Sequence, residues 1–185
     1  MSTVEQLVNR GTVSVGSSFF AKSLQDYYSW PSAMCREFLQ NGVDCGSANI
    51  RAEIKLEPEL CTDTHTAIDL LVTNDGRPMT RKELFDKLLQ LGETSKSGAA
   101  IGGFGKAKEI LYFAHRNYSI KTGIYVLLGS GADYTWAECD PASTLMGTQS
   151  SVGVMLSKPS FRSHEENLKN FIDRWITVAD HGKYK

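Results

Sequence analysis

The sequence lacks the features that mark several large classes of protein. It has no apolar run near the roughly 20 residues that a membrane-spanning helix needs, and its first residues, MSTVE, do not follow the basic-then-apolar order of a signal peptide. Its five prolines are scattered, and no repeat or low-complexity block divides the chain. We therefore expect a single cytoplasmic domain over residues 1–185, with no membrane partner.

Cysteine is scarce, and neither sign of charge dominates. The four cysteines have no CxxC spacing, which disfavours a disulfide scaffold and fits a reducing compartment. Twenty basic residues stand against 21 acidic ones, for a net charge of -1, so the sequence does not indicate a nucleic-acid partner. The four histidines lack metal-ligand spacing, and no G-x-S-x-G motif is present. We expect neither a histidine metal site nor acyl transfer.

Apolar residues make up 41% of the 185 positions, which is enough for one sizeable core. Periodicity predicts helices at residues 32–44, 106–115 and 164–178, and a further helix that begins at residue 80. Strands are predicted at residues 49–56, 67–72, 120–129, 134–139 and 151–156, after a β-rich opening at 12–20. Helices that cover one face of a mixed, mostly antiparallel sheet fit this order, so we expect an α+β fold of the two-layer sandwich type.

One face of the helix predicted at residues 32–44 carries polar side chains. Glu37 and Asn41 are four residues apart and Asp44 is three further on, a spacing that places the side chains on one side of a helix. Phe38 lies beside this face, and polar groups that look into an apolar layer are costly unless they bind something polar. The alternative, a solvated polar stripe, stays open from the spacing alone.

Two loops accompany this helix. Residues 73–79, TNDGRPM, follow a predicted buried strand and precede a helix, where polar groups commonly face a ligand; a plain Asn-Asp-Gly turn is the alternative. Residues 101–108, IGGFGKAK, form a glycine-rich loop that opens a helix. Its backbone N–H groups can approach an anion at the positive end of the helix dipole, and Lys106 adds a charge. The loop is neither a P-loop nor a Rossmann fingerprint.

In this order and spacing, the motifs resemble the ATP-binding domain of the GHKL superfamily, which includes DNA gyrase, ninety-kilodalton heat-shock chaperones, histidine kinases and MutL. The resemblance spans nearly the whole chain. The helix looks like the N-box, E-x-x-x-N-x-x-D, and residues 74–79 are similar to the D-x-G-x-G-M box. Residues 92–96 and 102–107 resemble the lid and the second glycine box, and Gly147-Thr148 looks like the Gly-Thr before a late strand. Chaperone and MORC-type members look nearer than histidine kinases.

The resemblance implies a Bergerat fold, ATP and ADP as ligands, Mg²⁺ as cofactor, and slow hydrolysis that drives a lid-dependent conformational switch. It makes Glu37 the general base that orients water for attack on the γ-phosphate, and Asn41 the protein ligand of Mg²⁺. These residue types suit that chemistry, because Mg²⁺ prefers oxygen ligands and phosphoryl transfer depends on positioning. The resemblance assigns ATP binding to Asn41, Asp44, Asn74, Gly76, Met79, Gly102, Gly103, Phe104, Gly105, Lys106, Ala107 and Thr148.

The box at residues 74–79 departs from the family pattern at two positions. Asn74 stands where the family has the aspartate that accepts a hydrogen bond from adenine, and a neutral amide oxygen accepts a weaker bond than a carboxylate. Asp75 is the alternative acceptor if the turn shifts by one residue. Pro78 replaces a second glycine, and because proline fixes φ and has no N–H, it stiffens the loop.

The sequence supports several functions of different classes. The first is a Mg²⁺-dependent ATPase, for which the resemblance implies a homodimer on ATP binding and further domains or protein clients. The second, favoured by Asn74 and Pro78, is a nucleotide-binding switch or interaction module with little or no turnover. A histidine-kinase catalytic domain is disfavoured because no phosphoacceptor helix pair precedes residue 30. A structural protein that has lost its ligand is disfavoured by Glu37, Asn41 and the glycines of the loop at 101–108.

Overall fold

The computed structural model describes residues 9–12, 18–89 and 107–181. Its α-helices are α1 (Ser18–Gln25), α2 (Trp30–Asp44) and α3 (His164–His181). There are also two π-helical segments, Glu83–Leu88 and Glu109–Phe113, each preceded by two α-helical residues, and two 3₁₀ turns, Pro58–Leu60 and Pro141–Ser143. The strands are β1 (Asn9–Thr12), β2 (Ile50–Leu56), β3 (His65–Asn74), β4 (Asn117–Gly123), β5 (Tyr125–Ser130), β6 (Asp133–Glu138) and β7 (Leu145–Ser157).

The strands form one seven-stranded sheet in the order β1-β6-β5-β4-β7-β3-β2. Every pairing between these strands is antiparallel, so the sheet is not mixed within the described residues. The long strands β3 and β7 pair along their length and bring Asn74 opposite Thr148. The structure therefore confirms the predicted α+β sandwich.

The core lies between the sheet and the helices. Ile68, Leu70 and Val72 alternate along β3, so they share the face that is buried. Phe38 of α2 and Phe171 of α3 are also buried and belong to the same cluster. Because α2 uses its apolar side for this packing, its other side is free to carry polar groups.

Two local predictions are wrong. Residues 18–20 begin α1 instead of ending a β-rich opening, because Phe20 is buried there, with its ring centroid 5.6 Å from that of Phe113. The strand predicted at residues 120–129 is two antiparallel strands, β4 and β5, and Gly123 makes the reversal with a φ of 56° that favours glycine. Among the described helices, none is both long enough and apolar enough to cross a membrane.

Candidate functional site

Helix α2 turns its polar side toward a narrow cleft. Glu37, Asn41 and Asp44 all line this cleft, as their spacing predicted. The helix is held in this orientation by Met34 and Phe38, which are buried in the core, where the Phe38 ring packs against Tyr112 and Trp175. Glu37 and Asn41 are half-buried in the cleft, whereas Asp44 is exposed at its end, so solvent still reaches part of the polar stripe.

The opposite wall of the cleft comes from the two π-helical segments and the residues that precede the second. Lys87 and Leu88 contribute from the first, and Ala107, Lys108 and Leu111 from the second. The two described parts of this wall thus end at residue 89 and resume at residue 107. The predicted lid at 92–96, and the predicted site residues Gly102, Gly103, Phe104, Gly105 and Lys106, lie outside the described residues, so their roles stay predictions.

Lys108 is a cleft residue that the sequence analysis missed. It is only 2% exposed, and its Nζ donates a hydrogen bond of 2.9 Å to the carbonyl oxygen of Lys87. A buried ammonium group needs such acceptors. The signal in the sequence was its helical spacing from Leu111, three residues on, which places both on the side that faces the cleft.

The described walls of the cleft lie close together. The free volume between them is about 30 Å³, which is enough to hold water. The hydrogen bond from Lys108 to Lys87 holds the two π-helical segments together at this point.

Glu37 and Asn41 have few partners of their own. Oε1 of Glu37 lies 3.6 Å from the guanidinium of Arg36, whose side chain is 58% exposed, and such a pair contributes little to stability. Within the described part of the chain, no hydrogen bond engages the carboxamide of Asn41. Asp44 differs, because its Oδ1 accepts a 2.6 Å hydrogen bond from Gln40.

The end of β3 adjoins the C-terminal part of α2. The Oδ1 atom of Asn74 accepts hydrogen bonds from the N–H of Gly76 at 3.2 Å and from the thiol of Cys45 at 3.4 Å. The Cys45 thiol has one hydrogen and also lies 3.1 Å from the carbonyl oxygen of Gly42, so only the bond from Gly76 is committed to Asn74. A side chain at Gly76 would collide with Cys45, so this glycine is required by close packing.

Asp75 holds the loop between α2 and β2. Its Oδ1 accepts hydrogen bonds from the Ser47 hydroxyl at 2.6 Å and from the N–H groups of Ala48 and Asn49 at 2.8 Å. Its Oδ2 accepts a further bond of 2.7 Å from the Asn49 side chain. These bonds, above all the one from Ser47, hold the pKa of Asp75 well below its usual range. The carboxylate is thus engaged by the loop, which disfavours Asp75 as the alternative adenine acceptor.

Buried hydroxyls connect the turn after β3 to the sheet. The Met79 N–H donates to Oγ1 of Thr122 at 2.8 Å, and that atom lies 3.0 Å from Oγ1 of Thr148. Thr122 is fully buried and Thr148 is 8% exposed. The sequence analysis missed Thr122, although its place two residues after the buried Ile120 was a signal. Thr148 lies inside β7, which starts at Leu145, so the late strand begins earlier than the predicted 151.

The structure therefore brings most of the described site residues into two adjoining groups. Glu37, Asn41 and Asp44 share the cleft with Ala107, and Asn74, Gly76, Met79 and Thr148 form the end of the sheet beside it. Gly42 joins the groups, because a Cβ atom on it would lie 3.9 Å from Cβ of Asn74. No family model matches the sequence. No curated protein matches it either.

Proposed function

We propose that this chain is a GHKL-type ATP-binding domain that binds ATP with Mg²⁺ and hydrolyses it slowly. The observation that carries the proposal is the shared cleft of Glu37, Asn41 and Lys108. The carboxamide of Asn41 is half-buried there without a described hydrogen-bond partner. Because its polar atoms are not fully buried, the carboxamide can bind either water or a polar ligand. A cytoplasmic location is part of the proposal, since all four cysteines are free thiols.

The residues of the cleft fit a Mg²⁺–phosphate ligand. Their oxygen donors, the amide of Asn41 and the carboxylates of Glu37 and Asp44, are of the kind that Mg²⁺ prefers. Asn41 would hold the cation, which supplies charge neutralisation at phosphate oxygens when bound. Glu37 would orient the attacking water and accept its proton. Lys108 would exchange the Lys87 carbonyl for a phosphate oxygen.

The narrow cleft supports a switch as part of this function. The free volume between the described walls is about 30 Å³, which is smaller than a nucleotide. A nucleotide phosphate placed between them would move the π-helical segments away from α2 and would replace the carbonyl of Lys87 as the acceptor for Lys108. A ligand that favours the open arrangement shifts the population toward it, which couples binding to movement.

A second candidate is a nucleotide-binding module without meaningful turnover. The departures at Asn74 and Pro78 favour it, because Oδ1 of Asn74 already accepts from the N–H of Gly76 and a neutral amide accepts a weaker bond than a carboxylate. Nucleotide binding without phosphate release by the parent protein would support this candidate over the ATPase.

The test is a calorimetric titration of the chain with ATP and with a non-hydrolysable analogue, each with and without Mg²⁺, and with GTP as the control for the base. We expect Mg²⁺-dependent binding that prefers adenine. Asn41→Ala should abolish the dependence on Mg²⁺, whereas Asn117→Ala, an exposed asparagine on β4, should not. The absence of both heat and thermal stabilisation at millimolar nucleotide would contradict the proposal.

A further inference from the structure

A second cavity lies at the opposite end of α2, between the start of that helix and α3. Its volume is about 120 Å³. Arg162 and Arg174 line it together with the carboxamides of Asn167 and Asn170. Among the described residues that form its wall, none is acidic. The cavity is therefore a cationic and hydrogen-bonding space, well separated along α2 from the cleft that contains Asn41.

Arg174 is fixed where positive charge is already present. Its Nη1 donates a 2.9 Å hydrogen bond to Oγ of Ser29, the residue that precedes α2. The N-terminus of a helix carries a partial positive charge. The first turn of α2 has no acidic residue, and the Ser29 side chain does not cap it. The exposed guanidinium of Arg174 and this helix end therefore both attract an anion to the same place.

Arg162 adds a second guanidinium to the same cavity. Its guanidinium carbon lies 5.8 Å from the ring centroid of Phe161, and it forms no ion pair with a carboxylate of the described residues. Glu166, which lies on α3 like Arg174, is engaged elsewhere, because its Oε2 accepts a 2.7 Å hydrogen bond from the N–H of Ser163. The positive charges at the cavity are thus not neutralised by these side chains.

We propose that this cavity binds a phosphoryl group, either as inorganic phosphate or at the end of a small phosphomonoester. Two guanidinium groups offer forked donors that match the oxygens of a phosphate, and together they balance the charge of a dianion. The carboxamide of Asn170 donates one N–H to the carbonyl of Glu166 and retains a second for the ligand. A volume of about 120 Å³ admits a phosphate ion, whereas pockets for drug-sized ligands span about 300 Å³ or more.

The test is a calorimetric titration of the full chain with inorganic phosphate, with glycerol phosphate and, as a planar control, with acetate. We expect phosphate to bind more tightly than acetate. Arg162→Gln and Arg174→Gln should each weaken phosphate binding by about tenfold or more, because each removes charge-assisted hydrogen bonds. Arg51→Gln, which changes a 76% exposed arginine on β2, should leave the affinity unchanged. Preferential binding of phosphate identifies the free ion as the ligand, and preferential binding of glycerol phosphate identifies the monoester.

Repeating the titration with saturating ATP separates this cavity from the cleft. The affinity of this cavity for phosphate should be the same with and without ATP. The proposal would be overturned if ATP competes with phosphate or if no binding is seen at millimolar phosphate. It would also be overturned if Arg162→Gln, Arg174→Gln and Arg51→Gln bind phosphate with equal affinity. Because Arg174 also bonds to Ser29, its variant must first show a parental circular-dichroism spectrum. Arg162→Lys keeps the positive charge but lacks the paired N–H donors of a guanidinium, so it should bind phosphate with intermediate affinity. This variant tests the proposal even if Arg174→Gln does not fold.

Discussion

Two carboxylates near α2, Asp75 and Glu37, have opposite relationships to the rest of the protein. Asp75 is exposed, yet its oxygens accept four hydrogen bonds from residues 47–49. Glu37 has a side chain only 22% exposed, yet its one described contact is a 3.6 Å approach to Arg36. The more exposed carboxylate is structural, and the more shielded one has no hydrogen bond within the described part of the chain.

The polar residues of the turn and those of the helix differ in whether they make hydrogen bonds within the protein. In the turn after β3, the polar groups of Asn74 and Asp75 hold the backbone in place. In the cleft, the side chains of Glu37 and Asn41 make no hydrogen bond within the described residues. Polar groups that already have partners contribute to stability, whereas shielded groups without partners are the ones that a ligand can use.

The largest expected effect comes from Glu37→Gln, which keeps the shape of the side chain and removes its charge. If Glu37 orients and deprotonates water, ATP turnover should fall by about 100-fold or more, while ATP affinity changes little. Steady-state phosphate release measures the first quantity and calorimetry the second. Glu53→Gln, on β2 and paired with Arg51, is the matched control. Equal turnover in the parent and in Glu37→Gln would remove Glu37 from the mechanism.

Thr122→Val tests the junction between the turn and the sheet. The variant leaves the buried N–H of Met79 without its acceptor and removes the partner of Thr148. We expect a loss of about 1–3 kcal/mol in the free energy of unfolding, measured by urea denaturation. Thr122→Ser keeps the hydroxyl and should retain most of the stability. A valine variant as stable as the parent would show that these bonds do not hold the turn.

Asp75→Asn tests the structural carboxylate through its pH dependence. Hydrogen bonds lower the pKa of Asp75 in the folded protein, so its contribution is present above the unfolded pKa of about 4 and is lost as the pH falls toward the folded value. The hydrogen bond from Arg77 lowers the pKa of Glu83 to about 2, so Glu83 also loses its contribution to folding stability in this acidic range. Thermal melts from pH 7 to pH 2 should show a lower melting temperature and a shallower acid dependence for Asp75→Asn.

The exposed Asp63 supplies the control for this series. Asp63→Asn should melt like the parent protein throughout, because no described hydrogen bond depends on its side chain. If Asp75→Asn has the same acid dependence as the parent, Asp75 does not contribute through its charge.

The smallest expected effect is a gain in affinity in Asn74→Asp. A carboxylate can keep the donors from Gly76 and Cys45 and still accept from the amino group of adenine. Because a charge-assisted bond is about twice as strong as a neutral one, ATP should bind about fivefold more tightly and GTP no more tightly. Parallel gains for both nucleotides would show that residue 74 does not contact the base.

Much of the fold could be predicted because its patterns are local. Helical spacing identified α2 and α3, period-two alternation identified β2, and a short, largely apolar run identified β3. The opening could not be assigned in this way. Its apolar residues alternate like a strand, but burial of Phe20 against Phe113, far along the chain, selects a helix at 18–25. The reversal between β4 and β5 was also not predicted. The sequence marks it with a single glycine of positive φ, Gly123, and not with a longer run of turn residues.

The candidate site was predictable where it lies on one helix and not where it depends on distant partners. The spacing of Glu37, Asn41 and Asp44 already placed them together. No local pattern shows that Asp75 reaches back to the loop at 47–49, or that Lys108 bonds to Lys87. Such contacts join residues that are more than 20 positions apart, and they decide which polar groups remain for a ligand.

The most direct test of the central claim is a ¹H–¹⁵N NMR titration of the labelled protein with Mg²⁺ and a non-hydrolysable ATP analogue. If the cleft and the adjoining end of the sheet form the ligand site, the amide signals of residues 37–44, of Lys108 and of Thr148 should shift together and saturate at one dissociation constant. Signals near the Arg162 cavity should stay in place. Saturating shifts that avoid α2, or no shifts at millimolar analogue, would contradict the account.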